Sequence, residues 1–125
     1  MVRKNILSLL IALVIMVLSF TSAGTFSRLH LPPIPNLDKL VHIIMYFSLM
    51  LALEIENRSL LSTARSYLSL AVIHLHFGGA IEILQSMFTR TRTGDILDYA
   101  ADALGVLLAV MVWLIIRKLI KSGVR

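Results

Sequence analysis

Glu82, Asp98 and Asp102 are carboxylates set within or beside long apolar runs, with Gln85, Arg90 and Arg92 between them. A charged side chain at the middle of a bilayer costs on the order of a few kcal/mol unless paired, hydrated or neutralised, so such residues mark functional sites by default. Three chemistries fit these residue types. Neighbouring carboxylates raise one another's pKa and let one hold a proton for acid–base work, which makes Glu82, Asp98, Asp102 and the nearby His42 candidate catalytic residues. The same carboxylates, with Asp38 and His42, can hold a hard divalent cation such as Mg²⁺. Arg90 and Arg92 can clamp a phosphate or carboxylate, with Asp38, Lys39 and Gln85 completing a headgroup-binding set. The competing structural account has the arginines neutralising Asp95 and Asp98, and Glu82 and Asp102 satisfied in an interhelical hydrogen-bond network.

Four apolar segments must position these groups. The chain has 125 residues, 58% hydrophobic and 15% charged, with mean hydropathy +0.86. Soluble domains carry roughly 25% charge. The runs 6–20 and 104–116 are apolar around the whole helical circumference, which a soluble amphipathic helix is not. The expectation is a single all-α domain, a compact transmembrane bundle of four helices at about 5–21, 40–55, 67–88 and 98–116. The second segment is short and interrupted by His42, Tyr46, Ser48 and Glu54. Pro32, Pro33 and Pro35 forbid a continuous helix before it, and Asn36 or Asp38 can cap its start. The first segment also resembles a signal peptide, with a basic start, an apolar core and the small-residue end Thr21-Ser22-Ala23.

Basic residues set the orientation. With the N-terminus inside, Arg3, Lys4, Arg58, Arg65, Arg117, Lys118, Lys121 and Arg125 face the cytoplasm, against Arg28, Lys39, Arg90 and Arg92 outside. The positive-inside rule thus places both termini in the cytoplasm. This topology gathers Asp38, Lys39, His42, Glu82, Gln85, Arg90, Arg92, Asp98 and Asp102 at the outer end. Helical phase places Asp38, His42 and Tyr46 on one face, His74, Gly78, Glu82 and Gln85 on a second, and Asp98, Asp102, Gly105 and Ala109 on a third. The small residues of the third face permit close helix approach. The expected result is a polar pocket opening outward above tight packing.

Other residues are plainer. His74 either extends a polar path inward or makes an interhelical hydrogen bond; His76 points nearly opposite, and His30 lies in the proline-rich connection. Glu54 and Glu56 are expected to pair with Arg58 and Arg65 at the inner boundary. Tyr67, Tyr99 and Trp113 read as interfacial anchors or packing residues, and Gly78-Gly79 as a close contact or bend. Cysteine is absent, which excludes disulfides and thiolate chemistry. There is no HExxH zinc motif and no nucleophile elbow. The net charge of +5 is spread in ones and twos beside apolar runs, as in membrane flanks, so nucleic acid is not an expected partner.

Asp38-Lys39-x-x-His42-x-x-x-Tyr46-Phe47, then Glu82-x-x-Gln85, Arg92, Asp98 and Gly105, resemble the elements of the VanZ-like family of small bacterial membrane proteins, across roughly residues 36–110. The chain departs from that pattern at Asp102, where the family commonly has asparagine, and at Ala109, where a second small residue, often glycine, follows. Asp102 keeps an acceptor, loses the amide donor and adds a possible charge. The family is named for a protein associated with resistance to the glycopeptide teicoplanin. The resemblance implies a multi-pass location in the bacterial inner membrane and a role in the cell envelope.

Three functions are therefore weighed. In the first, an outward polar pocket binds or processes a lipid-linked or anionic envelope ligand. In the second, the chain is a structural or accessory protein that assembles with a membrane-protein partner or with copies of itself. In the third it is a small transporter, although the doubled repeats common in transporters are missing. Membrane lipids are the surrounding partners in all three.

Overall fold

The computed structural model describes residues 5–20, 36–88 and 96–123. Arg90 and Arg92, like Asp95 and His30, lie outside them. The described residues form four helices: α1 (Ile6–Phe20), α2 (Leu37–Glu56), α3 (Ala64–Phe88) and α4 (Ile96–Ser122). The all-α, four-helix architecture is as expected. α2, α3 and α4 run longer than the apolar segments that announce them, because hydrogen bonding continues where hydropathy stops, whereas α1 stays within its expected 5–21. α4 carries Arg117, Lys118 and Lys121 on its last turns, where cations complement the helix dipole.

Helix starts are set by different devices. Thr63 and Ser66 cap α3 reciprocally: the Ser66 N–H donates to Thr63 Oγ1 and the Thr63 N–H to Ser66 Oγ, both at 3.2 Å. Asn36 does precede α2, but in the left-handed conformation (φ 58°) and with no side-chain cap. Asparagine tolerates that conformation. Asp38 instead sits in the first turn as the acidic complement to the dipole. The N-terminus of α1 is capped from a distance by Glu56, whose carboxylate accepts from the N–H groups of Leu7 (2.7 Å) and Ser8 (3.2 Å).

α2 and α4 form the most extensive pairing in the bundle. Lys39 meets Asp98, His42 meets Asp102, and Ile43 and Phe47 flank Gly105, so the two helices run parallel. Gly105 is what permits this. A Cβ there would lie 2.5 Å from the Ile43 carbonyl oxygen and 3.0 Å from the Phe47 nitrogen. α1 packs on α2 and more lightly on α3, and α3 packs on α4. The core contains Ile15, Tyr46, Leu49, Met50, Ile81, Val106 and Ala109.

Polar side chains are buried beside this apolar core while many large apolar ones face outward. Buried side chains include His42, Glu54, His74, Gln85 and Asp102, whereas Leu9, Leu13, Val17, Ile73, Ile83 and Leu107 are more than half exposed. Such a surface is at home in lipid, and large exposed apolar areas mark membrane or partner contact. Two helices, α3 and α4, are long and apolar enough to cross a membrane; α1 is apolar but shorter. α2 falls outside that group because Asp38, Lys39, Glu54 and Glu56 lie along it.

Glu54 departs from expectation. It does not pair with Arg58 or Arg65 at a surface; it is 0% exposed, and neither carboxylate oxygen has a hydrogen-bond partner among the described residues. The helical period accounts for this, since Glu54 falls one turn beyond Met50 on the inward side of α2.

Candidate functional site

The three faces read from helical phase converge. α2 buries His42 and Tyr46; α3 buries His74, Gly78, Glu82 and Gln85; α4 buries Asp102, Gly105 and Ala109. His42 Nδ1 lies 2.8 Å from Asp102 Oδ1 and 3.9 Å from Glu82 Oε1. One ligand atom from each of His42, Glu82 and Asp102 falls within 4.8 Å of the others, a spacing compatible with a divalent cation. His42 is 3% and Asp102 0% exposed. The cluster is therefore enclosed by the described helices rather than open as a pocket.

Its walls are built from small and aromatic residues. The Tyr46 ring lies parallel to that of His42, with centroids 6.4 Å apart, and meets His74 edge-on at 5.3 Å. Gly78 makes room opposite: a Cβ would come within 2.9 Å of Tyr46 Cε1 and 3.1 Å of Asp102 Oδ2. Asp102 Oδ2 has no hydrogen-bond partner among the described residues. Gly78 thus serves close packing, one of the two roles expected of it.

One turn further out, Lys39 bridges Asp38 (3.2 Å) and Asp98 (3.3 Å). Asp38 is largely exposed. Partial burial acts to raise its pKa, but the adjacent Lys39 ammonium outweighs that and holds it below the ordinary value. Asp98 has taken Lys39 as its partner, and contributes to the pair a carboxylate that the cation cluster does not share.

Gln85 points elsewhere. Its Nε2 donates to the Ser19 carbonyl oxygen at 2.6 Å and so satisfies a last-turn carbonyl of α1. His74 is buried with neither ring nitrogen hydrogen-bonded among the described residues, and His76 caps the Val72 carbonyl from an exposed position. Trp113 is buried rather than interfacial, and its Nε1 likewise has no partner among the described residues. The Tyr67 hydroxyl oxygen accepts a hydrogen bond from Arg117 Nη1 at 2.8 Å at the opposite end of the bundle.

The arrangement supports one chemistry directly. An imidazole and two carboxylates can share either a proton or a cation. An imidazole in the set suits Mn²⁺ or Zn²⁺ better than Mg²⁺, which favours oxygen ligands and retains its waters. Comparison with protein-family models, curated proteins and solved structures finds no match to this chain.

Proposed function

We propose that this chain is an integral membrane protein of the bacterial envelope, akin to the VanZ-like family, in which His42, Glu82 and Asp102 hold a divalent cation near the outer surface. A lipid-linked or otherwise anionic envelope ligand is received at the partly exposed Lys39, and the enclosed cation holds the three helices in register beneath it. Lys39 and Asp98 stand on the side from which that ligand arrives. Both termini are then cytoplasmic, as the distribution of basic residues favours. The observation that carries this reading is three metal-compatible donors, from three separate helices, meeting at one point inside the bundle.

Manganese binding tests it. Purified protein in lipid nanodiscs, titrated with Mn²⁺ and followed by electron paramagnetic resonance, is expected to bind one ion per chain. Glu82→Gln and Asp102→Asn should each weaken that binding by about 10–100-fold while helicity persists. A second measurement adds a polyprenyl phosphate, whose retention should depend on Mn²⁺. Absence of saturable Mn²⁺ binding in the wild-type protein removes the cation site.

A structural role has its own support. The Lys39–Asp98, His42–Asp102 and Gln85–Ser19 contacts each tie one helix to another. On that reading the chain is an accessory protein assembling with a partner or with itself, and the same variants lose folded protein before they lose any ligand.

A further inference from the structure

At the end of the bundle opposite the cation cluster, a groove of about 640 Å³ opens where α3 begins and α4 ends. Its two halves differ. Val110 and Leu114 form an apolar wall along α4, and Tyr67, Arg117, Lys118 and Lys121 form a polar mouth. Among the described residues, no acidic side chain lines it. The guanidinium of Arg117 is already positioned: Nη1 donates to the Leu61 carbonyl oxygen and to the Tyr67 hydroxyl. Nη2 and Nε make no hydrogen bond among the described residues, and together form the fork that suits phosphate. Lys118 and Lys121 are exposed beside it. The positive end of the α3 dipole, at Thr63 and Ala64, borders the same mouth and reinforces the field.

We propose that this groove binds an anionic phospholipid, its headgroup phosphate held by Arg117, Lys118 and Lys121 and an acyl chain lying along Val110 and Leu114. A soluble anion would use the cations and leave the apolar wall idle. A zwitterionic lipid would use the wall but bring a positive group to the cations. An amphiphile of net negative charge matches both halves. Basic pockets between helices on the cytoplasmic side are a recognised lipid-headgroup geometry. The inference rests on the bilayer placement proposed above and not on the cation site.

Trp113, the only tryptophan, lies one turn before Arg117 on α4 and reports on the groove. The full chain is reconstituted in phosphatidylcholine vesicles containing increasing fractions of brominated phosphatidylglycerol, and Trp113 fluorescence is followed. Quenching should saturate at a low fraction of the anionic lipid, and brominated phosphatidylcholine at that fraction should quench less. Lys118→Gln and Lys121→Gln together should raise the half-saturating fraction, by about fivefold per lysine at low ionic strength. Added salt should shrink the preference. Both lysines are exposed, so the variant is expected to fold, and circular dichroism checks that it does. Equal quenching by the two brominated lipids, or a midpoint unchanged by the double substitution, overturns the lipid site while leaving the bilayer placement intact. If neither lipid quenches Trp113 in a chain that floats with the vesicles, the lipid site falls and the bilayer placement stands; a chain that does not float with them removes both.

Discussion

Asp102 and Glu54 are both 0% exposed, yet the bundle treats them differently. Asp102, on α4, faces His42 at 2.8 Å and has Glu82 close by. Glu54, on α2, has no hydrogen-bond partner among the described residues at either oxygen. Because α2 and α4 run parallel, Glu54 falls at about the height of Trp113, whose Nε1 also has none among them. The end of the bundle at Asp102 thus concentrates donors and acceptors from three helices. The end at Glu54 holds an acid and an indole N–H at one level without joining them. Burial alone does not identify a site; converging partners do.

The largest effect expected tests this directly. Asp102→Ala strands His42 in a buried position, and removing one member of a buried pair costs about 3–5 kcal/mol. Unfolding in detergent, followed by circular dichroism, should show that loss. Asp102→Asn retains an acceptor and should lose much less stability, which separates folding from cation binding. Glu54→Leu should go the other way and stabilise by about 1–3 kcal/mol, since an unpaired polar group in an apolar setting is replaced by a packed side chain. If Glu54→Leu instead destabilises as Asp102→Ala does, the contrast breaks, and Glu54 has a partner that matters.

Gly105→Ala comes next. Its added Cβ meets backbone atoms of Ile43 and Phe47 rather than a flexible side chain, so α2 and α4 must move apart. Overpacking of this kind costs about 1–3 kcal/mol. It should also weaken Mn²⁺ binding, because the same displacement separates His42 from Asp102. Unchanged binding in a destabilised Gly105→Ala protein indicates that the α2–α4 spacing does not set the site.

The positions of these residues were legible to different depths. The alternating direction of four segments brings His42, Glu82 and Asp102 to one end, and helical phase puts them on inward faces, because a period of 3.6 residues fixes direction once the segments are known. It also placed Gly105 at a close approach. Gln85 was assigned to the same polar stripe, and lies on it, but its partner is a carbonyl of α1. Chain-distant pairing depends on how helices dock, which periodicity does not encode. Glu54 was read as a surface residue because arginines follow it in sequence. Its burial follows from the face it occupies, a signal present in the phase and outweighed there by proximity to charge. The ends of α4 were hidden because hydropathy reports the apolar stretch and not the helix.

The smallest effect concerns Glu56, only two residues beyond Glu54 and on a different face. It satisfies two first-turn N–H groups of α1, where a negative charge also complements the helix dipole. Glu56→Gln should therefore cost about 0.3–1 kcal/mol, reduced by solvent screening and added salt. The pH dependence supplies the sharper test. Partial burial acts to raise the Glu56 pKa, but hydrogen bonds from Ser8 and Leu7 outweigh it and hold the value below the ordinary 4.5. A carboxylate with a lowered folded-state pKa contributes stability above its unfolded value and loses it as pH falls through the folded one. The stability difference between wild type and Glu56→Gln should accordingly be constant at neutral pH and shrink as the pH is lowered through and below 4.5. A difference that persists unchanged in acid means that the Glu56 contact is geometric rather than ionic.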